Sequence, residues 1–244
     1  MIDLHCHILP GIDDGASDLA ESLALLRLAV ADGITHMVAT PHINPGYFDN
    51  TPHTIAAALA QLQQAAAAAD IPIQLSAAAE VRVTADLMLA VAQQQLPMLG
   101  EWQQQQVLLL EFPHSHIPPG SDKLVKWLLQ RNIRPMIAHP ERNRDVQADV
   151  SVLNPFIRAG CLFQLTASSV LGDLGERHQA CALQLLEQRI FTIMATDCHN
   201  LQRRPPKLQE ARRIVADLTD ADYAQQLVDI APKTIAQAKH FSSM

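Results

Sequence analysis

The sequence predicts an α/β protein whose central sheet is a barrel of seven parallel strands. Seven short apolar segments alternate with segments of helical periodicity, which is the pattern of a parallel sheet with crossover helices. Six of the seven apolar segments end in His, Glu or Asp. Because (β/α) barrels carry their active sites at the carboxyl ends of the strands, this arrangement favours a barrel. A doubly wound open sheet is the alternative fold.

The first apolar segment, residues 1–7, ends in a His-x-His pair. Side chains alternate between the two faces of a strand, so His5 and His7 point to the same face. Two imidazoles that converge at a strand end can bind one divalent metal ion. The segment therefore predicts both the first strand and part of a metal site.

Local signals place the elements that follow. Asp18, with Glu21 three residues later, indicates the start of the first helix, and Gly33 indicates its end. Pro52 suits the first turn of a second helix, which runs through an Ala-rich stretch to about residue 69. The other predicted strands cover residues 36–40, 71–79, 107–110, 135–138, 161–165 and 190–195. The other predicted helices cover residues 85–95, 123–131, 152–159 and 179–188, and much of the chain from residue 207 onward.

The strand-end side chains, with one aspartate from the first loop, form a set of candidate metal ligands. The set comprises His5, His7, Asp14, His42, Glu80, Glu111, His139, Asp197 and His199. Nine ligands are too many for one tetrahedral zinc ion and suit two or three ions with bridging carboxylates. Mixed imidazole and carboxylate donors favour Mn, Fe or Zn. Two ions about 3.5 to 4 Å apart can bind a hydroxide and stabilise both oxygens of a phosphoryl displacement.

Arginines follow two of these ligands in the sequence. Arg142 lies three residues after His139, and Arg203 and Arg204 lie shortly after His199. A guanidinium group is a planar fork that can bind phosphate oxygens with two hydrogen bonds. These arginines are candidate phosphate ligands, and a surface cation is the alternative role for each of them.

Composition and charge exclude several classes of protein. The net charge of −7 makes nucleic-acid binding through a basic surface unfavourable, although bound cations could still make one pocket positive for an anionic substrate. The four cysteines show no C-x-x-C spacing, and no run of 18 residues is apolar. We therefore expect reduced thiols, no membrane span, no signal peptide and a cytoplasmic location. No domain boundary is visible, so we expect a single domain over residues 1–244.

Taken in order, the motifs resemble those of the PHP (polymerase and histidinol phosphatase) superfamily. Within it they are similar to the bacterial capsular-polysaccharide tyrosine-protein phosphatases. The similar motifs are Asp3-Leu4-His5-Cys6-His7, Gly11-Ile12-Asp13-Asp14-Gly15, Ala39-Thr40-Pro41-His42, Glu80-Val81-Arg82, Leu110-Glu111, Ala138-His139-Pro140-Glu141-Arg142 and Thr196-Asp197-Cys198-His199-Asn200. The resemblance covers about residues 1–215. It departs from the family at Cys198, where a small residue is usual, and at Thr166, where we expect Asn in the sixth strand.

The resemblance implies a distorted (β/α)7 barrel and a site for three divalent ions, typically Mn²⁺. It also implies hydrolysis of phosphotyrosine on a bacterial tyrosine autokinase that regulates capsular or exopolysaccharide synthesis. The resemblance assigns ligands to each ion. It implies that His5, His7, Glu80 and Asp197 bind the first ion, that Glu80, Glu111 and His139 bind the second, and that Asp14, His42 and His199 bind the third. The same resemblance implies that Arg142 and Arg204 bind the phosphate.

Three other functions remain open from the sequence. Another PHP phosphoesterase would use the same metals on a small phosphate monoester such as histidinol phosphate. An amidohydrolase also opens with His-x-His but usually has a lysine in the fourth strand, where this chain has Glu111. A non-catalytic metal-binding or kinase-docking module would not require nine ligands.

Residues 198–204 match the C-x5-R signature of cysteine phosphatases. That loop wraps backbone N–H groups around phosphate, commonly with the help of Gly, and this segment has none. We therefore interpret Cys198 as a wall residue rather than a nucleophile. The loop residues Tyr47, Phe48, His114 and His116 are predicted either to border a substrate groove or to be ordinary loop residues.

Overall fold

The computed structural model describes residues 1–240 of the chain. Its strands are β1 (Ile2–Cys6), β2 (His36–Ala39), β3 (His42–Ile43), β4 (Gln74–Ala77), β5 (Glu80–Arg82), β6 (Gly100–Trp102), β7 (Gln105–Glu111), β8 (Ile133–Ile137), β9 (Leu162–Thr166) and β10 (Ile193–Ala195). Its α-helices are α1 (Leu19–Ala31), α2 (Pro52–Ala68), α3 (Leu87–Ala92), α4 (Ser121–Leu129), α5 (Arg144–Ala148), α6 (Asn154–Ala159), α7 (Ala167–Leu171), α8 (Glu176–Glu187), α9 (Gln209–Leu218), α10 (Ala221–Gln225) and α11 (Ala231–His240). Short 3₁₀ turns over Pro140–Arg142 and Val150–Leu153 and a π-helical turn over Gln226–Ile230 connect some of them.

All seven predicted strands are present, but two of them are interrupted. The second continues as β3 after a break at Thr40 and Pro41, and the third continues as β5 after a break at Ala78 and Ala79. Proline has no N–H to donate to a neighbouring strand, which accounts for the first break. The sequence does not predict β6, a short strand that pairs antiparallel with β7.

Within residues 1–240 the strands form two sheets that together curl into a parallel half-barrel. One sheet has the order β1-β2-β4, and the other has the order β10-β9-β8-β7-β5-β3, with β6 beside β7. Backbone hydrogen bonds connect the two sheets. The N–H of Asp197 donates to the carbonyl of His5, and the N–H of His7 donates to the carbonyl of Cys198, both at 2.8 Å. The carboxyl ends of the parallel strands therefore meet on one face.

The first two helices begin as their sequences predict. The Asp18 carboxylate accepts a hydrogen bond from the backbone N–H of Glu21 at 2.9 Å and caps α1. Thr51 and Thr54 form a reciprocal capping box at the start of α2, with Pro52 in the first turn. None of the helices within residues 1–240 is both long and apolar enough to cross a membrane.

The hydrophobic core fixes the strands against the last helix. Strand residues such as Leu4, Leu109 and Met136 are fully buried and pack in one cluster with Ile235 of α11. A second and larger cluster packs the strands against the other helices. A side chain at Gly100 would place its Cβ 1.9 Å from the carbonyl oxygen of Ile235, so only glycine permits this approach of β6 to α11.

Candidate metal centre

The side chains of the nine predicted ligands lie together at the carboxyl ends of the strands. They are His5, His7, Asp14, His42, Glu80, Glu111, His139, Asp197 and His199, arranged in overlapping groups whose ligand atoms lie within 4.8 Å of one another. All except Asp14 have side chains that are at most 15% exposed. The predicted placement of this set at one face of the sheet is confirmed, and the binding of metal by it stays a prediction.

The centre of the cluster is the His-x-His pair of β1. The Nε2 atoms of His5 and His7 are 3.3 Å apart. The Glu80 Oε2 atom lies 3.3 Å from Nε2 of His5 and 3.4 Å from Nε2 of His7. The Asp197 Oδ1 atom lies 3.5 and 3.4 Å from the same two nitrogens. Two imidazoles and two carboxylates thus converge on one small volume.

Glu80 also reaches two further histidines. Its Oε1 atom lies 2.8 Å from Nε2 of His139, and its Oε2 atom lies 3.1 Å from Nδ1 of His42. On the opposite side of His42, the Oδ1 atom of Asp14 lies 3.4 Å from Nε2 of both His42 and His199. The two oxygens of Glu80 therefore contact imidazoles on two sides of the cluster.

Gln164 of β9 fixes the orientation of the His5 ring. The Oε1 atom of Gln164 accepts a hydrogen bond from the backbone N–H of His139 at 3.0 Å, so this side-chain atom is the oxygen and not the nitrogen. The same oxygen lies 2.9 Å from Nδ1 of His5. Nδ1 of His5 must therefore carry a proton, so Nε2 is the ring nitrogen that points into the cluster.

Asp13 acts in the same way on the second histidine. Its Oδ2 atom lies 2.7 Å from Nδ1 of His7, so Nδ1 is the donor and Nε2 again points into the cluster. The Nε2 atoms of His5 and His7 then face each other and the oxygens of Glu80 and Asp197, and each nitrogen becomes an electron donor when it is deprotonated. A set of electron donors that converges in this way fits a bound cation, which is the test that a metal site must pass.

The charges of the cluster shift the pKa values of its members. Burial lowers the pKa of His5, but the carboxylates of Glu80 and Asp197 outweigh this effect and raise it above its usual value. Burial lowers the pKa of His139 and of His199 to about 4 in each case. These two imidazoles are therefore neutral near pH 7, the state in which imidazole binds a metal.

Arginines contact the outer oxygens of two carboxylates. The Nη1 atom of Arg142 donates to Oδ2 of Asp197 at 2.6 Å, and Arg204 donates to the same oxygen. Burial would raise the pKa of Asp197, but Arg204 and the other nearby cations hold it well below its usual range. Arg82 donates to Oε1 of Glu111 at 2.6 Å. Both Arg142 and Arg204 line the cavity of about 70 Å³ that the ligands surround.

Comparison with known proteins identifies the family. Residues 1–237 match the family model described as capsular polysaccharide synthesis, CpsB/CapC. The chain belongs to the CpsB/CapC family. Tyrosine-protein phosphatase YwqE of Bacillus subtilis (strain 168) is 37% identical over 211 residues, which cover 86% of this chain and 82% of YwqE. Tyrosine-protein phosphatase CpsB of Streptococcus pneumoniae is 29% identical over 244 residues, covering 96% of this chain and 98% of CpsB.

Solved structures agree with this assignment to the CpsB/CapC family. A crystal structure from work on YwqE from Bacillus subtilis and CpsB from Streptococcus pneumoniae, described there as unique metal-dependent tyrosine phosphatases, matches with a TM-score of 0.90. It is 33% identical and covers 98% of this chain and 95% of that chain. An organophosphorus hydrolase variant from Deinococcus radiodurans matches with a TM-score of 0.55 at 14% identity, over 95% of this chain and 91% of that chain, which is a likeness in fold alone.

Several residues that support the site of this CpsB/CapC protein carry no role in the sequence prediction. Asp13 stands beside the predicted ligand Asp14, and Arg82 lies two residues after Glu80 on the same strand. Gln164 is a polar residue within the wholly buried strand β9. Gln164 leaves a signal, because a polar side chain on a buried strand must find a partner. The sequence does not say which partner that is.

Two of the ligands have an unusual backbone conformation. His139 has a φ of 30° and Asp197 has a φ of 51°, in the left-handed region that non-glycine residues seldom adopt. Such strain typically occurs where a functional site requires one side-chain direction. Gly15 allows the loop after β1 to approach the backbone of His7 closely, because a Cβ at position 15 would lie 2.1 Å from the carbonyl oxygen of His7.

The loop residues around the site differ in position. Phe48 stacks on His42, with ring centroids 5.4 Å apart and planes at 15°. The His114 ring lies 5.3 Å from that of His139 and lines the cavity, whereas the His116 ring bonds to neighbouring Ser115 on an exposed loop. Tyr47 is 82% exposed, and Cys198 is fully buried. The burial of Cys198 agrees with its interpretation as a wall residue.

Proposed function

We propose that this protein is a metal-dependent protein-tyrosine phosphatase. The observation that carries the proposal is the convergence of nine imidazole and carboxylate ligands beside two arginines, in a chain of the CpsB/CapC family. We propose as its substrate the phosphotyrosine of a bacterial tyrosine autokinase that regulates capsular or exopolysaccharide synthesis, and as its location the cytoplasm.

The donor set suits two or three divalent ions, with Mn²⁺ as the proposed metal and Fe or Zn as alternatives. The proposed ligands of the first ion are His5, His7, Glu80 and Asp197, those of the second are Glu80, Glu111 and His139, and those of the third are Asp14, His42 and His199. Bound there, such ions supply a water of lowered pKa as nucleophile and positive charge for the phosphate oxygens.

The residues of the chain itself have three tasks in this proposal. Arg142 and Arg204 bind the phosphate oxygens, since both guanidinium groups line the cavity and form charge-assisted bonds there. Gln164 and Asp13 orient the two histidines of β1 through their Nδ1 atoms. Arg82 holds Glu111, whose other oxygen is then free to face the cluster.

We further propose that the two sheets together form a closed, distorted (β/α)7 barrel. The backbone bonds between β1 and the end of β10 support this, because they join the first and last of the seven predicted strands. We propose a single domain over residues 1–244, of which residues 241–244 lie outside the described part of the chain.

The test is metal-dependent hydrolysis of a phosphotyrosine peptide, measured beside histidinol phosphate. We expect the peptide to be hydrolysed with the larger kcat/KM, and we expect activity to disappear on chelation and return with Mn²⁺. Hydrolysis of histidinol phosphate alone would contradict the proposed substrate. Full metal binding with no hydrolysis of either compound would indicate a docking module.

A further inference from the structure

A groove opens next to the candidate metal centre. It lies between the loop after β3 and helix α3, and it has a volume of about 360 Å³, within the range of small-ligand sites. Its lining is mainly apolar and includes Ile43, Phe48, Leu89 and Leu96. The groove is therefore a surface that could bury apolar side chains of another molecule.

Phe48 connects this groove to the metal centre. Phe48 lines the groove, and its ring stacks on the ring of His42. The Nδ1 atom of His42 is in turn 3.1 Å from Oε2 of Glu80 in the metal centre. When the phosphotyrosine of a substrate protein enters the metal centre, the residues next to it in the substrate sequence therefore lie near the groove. A small phosphate monoester held at the metals would leave the groove unfilled.

Exposed large apolar side chains lie in the groove lining or next to it in sequence. Leu89 is 58% exposed and Met88 is 45% exposed, and Tyr47, next to Phe48 in sequence, is 82% exposed. Single exposed apolar residues are ordinary on a protein surface, so the observation that indicates a binding site is the apolar lining of the groove itself, in which Leu89 is exposed.

The groove lining carries negative charge. Its lining includes the carboxylates of Asp49 and Asp86 and no lysine or arginine. The sequence has only one cationic residue, Arg82, between Arg27 and Lys123. An occupant that carries positive charge beside an apolar side chain is complementary to this surface.

We propose that the groove binds the peptide segment that flanks the phosphotyrosine of the substrate protein. An apolar or aromatic neighbour of the phosphotyrosine fills the cavity between Phe48 and Leu89, and a lysine or arginine of the same segment pairs with Asp49 or Asp86. This inference rests on the proposed phosphatase function and deepens it, since it names the sequence that the site prefers.

The test compares phosphotyrosine peptides with a small substrate, p-nitrophenyl phosphate. One peptide carries Leu and Lys on both sides of the phosphotyrosine, a second replaces Lys by Glu, and a third replaces Leu by Ser. We expect kcat/KM of the first to exceed that of the third by about tenfold, the factor that about 1.4 kcal/mol provides. We expect it to exceed that of the second by about threefold, within the range of exposed ion pairs.

Two variants locate the preference on the protein. Leu89→Gln should lower the ratio of peptide kcat/KM to p-nitrophenyl phosphate kcat/KM by about tenfold for the Leu-Lys peptide. Asp86→Lys should reverse the preference between the Lys and Glu peptides. Matched controls are Ile157→Gln on α6, where Ile157 is 39% exposed, and Asp122→Lys on α4, and both should keep the wild-type ratio and preference.

Unchanged ratios in Leu89→Gln together with an unchanged charge preference in Asp86→Lys would overturn the proposal. If the wild type hydrolyses no substrate, the proposed function fails, and the groove is tested separately by fluorescence anisotropy of the same labelled phosphopeptides. Tighter binding of the Leu-Lys peptide, weakened in Leu89→Gln, would still support the groove. Equal binding of all three peptides would overturn it.

Discussion

Removal of Arg142 or Arg204 tests the proposed phosphate site most selectively. Both side chains are largely buried, with 13% and 20% exposed, and both donate to the Oδ2 atom of Asp197. Charge-assisted bonds in such a setting strengthen as negative charge develops on the transferred phosphoryl group. We expect Arg142→Ala and Arg204→Ala each to lower kcat/KM for a phosphotyrosine peptide by roughly 10²–10³, as loss of one transition-state donor does.

The structure also predicts the metal content of these variants. In each single variant the remaining arginine still holds Oδ2 of Asp197, so the ion content should stay at the wild-type value. In the double variant Asp197 loses both bonds, and its pKa rises because burial is then less opposed. Protons should then compete with metal for the Asp197 carboxylate at a higher pH than in the wild type, and the metal content of the double variant should fall.

The assay is steady-state kinetics with metal analysis of each purified variant. Arg158→Ala, which removes an exposed arginine on α6, is the matched control and should behave as the wild type. Arg142→Lys should restore activity only in part, because an ammonium group lacks the planar fork. Wild-type kinetics in Arg142→Ala would refute the phosphate role. Loss of metal in a single variant would show that both arginines are needed to hold Asp197 in place, and would contradict a role confined to substrate.

Four further substitutions have distinct expected outcomes. Cys198→Ser should keep most phosphatase activity while His199→Ala loses it, and an inactive serine variant with its full metal content would reverse our interpretation of that segment. Gln164→Leu should weaken metal affinity by roughly 10- to 100-fold in a chelator-competition titration, since two proposed ligands lose their acceptor. Gly15→Ala should lower the melting temperature, because its Cβ would clash with His7.

The strand ends explain how much of the site the sequence could predict. In a curled parallel sheet, side chains near the carboxyl ends of the predicted strands lie at one face, and this topology brings His42, Glu80 and His139 together. Strand alternation places His5 beside His7 for the same reason. These placements depend on periodicity, which a single sequence displays.

The remaining features depend on contacts between distant segments. Gln164 reaches His5 over 159 positions, and Arg82 reaches Glu111 over 29, and no local pattern records such pairs. Arg142 and Arg204 both bind the carboxylate of Asp197, and this shared contact likewise depends on the three-dimensional structure. The antiparallel strand β6 escapes prediction because it is three residues long and depends on its pairing with β7.

The central claim is that this chain uses bound divalent ions to hydrolyse phosphotyrosine. The most direct measurement is metal analysis of the purified protein, with the rate on a phosphotyrosine peptide recorded before chelation, after it and after addition of Mn²⁺. We predict two or three ions per chain, loss of activity on chelation and its return with Mn²⁺. One tightly held zinc ion with chelator-resistant activity would contradict the account.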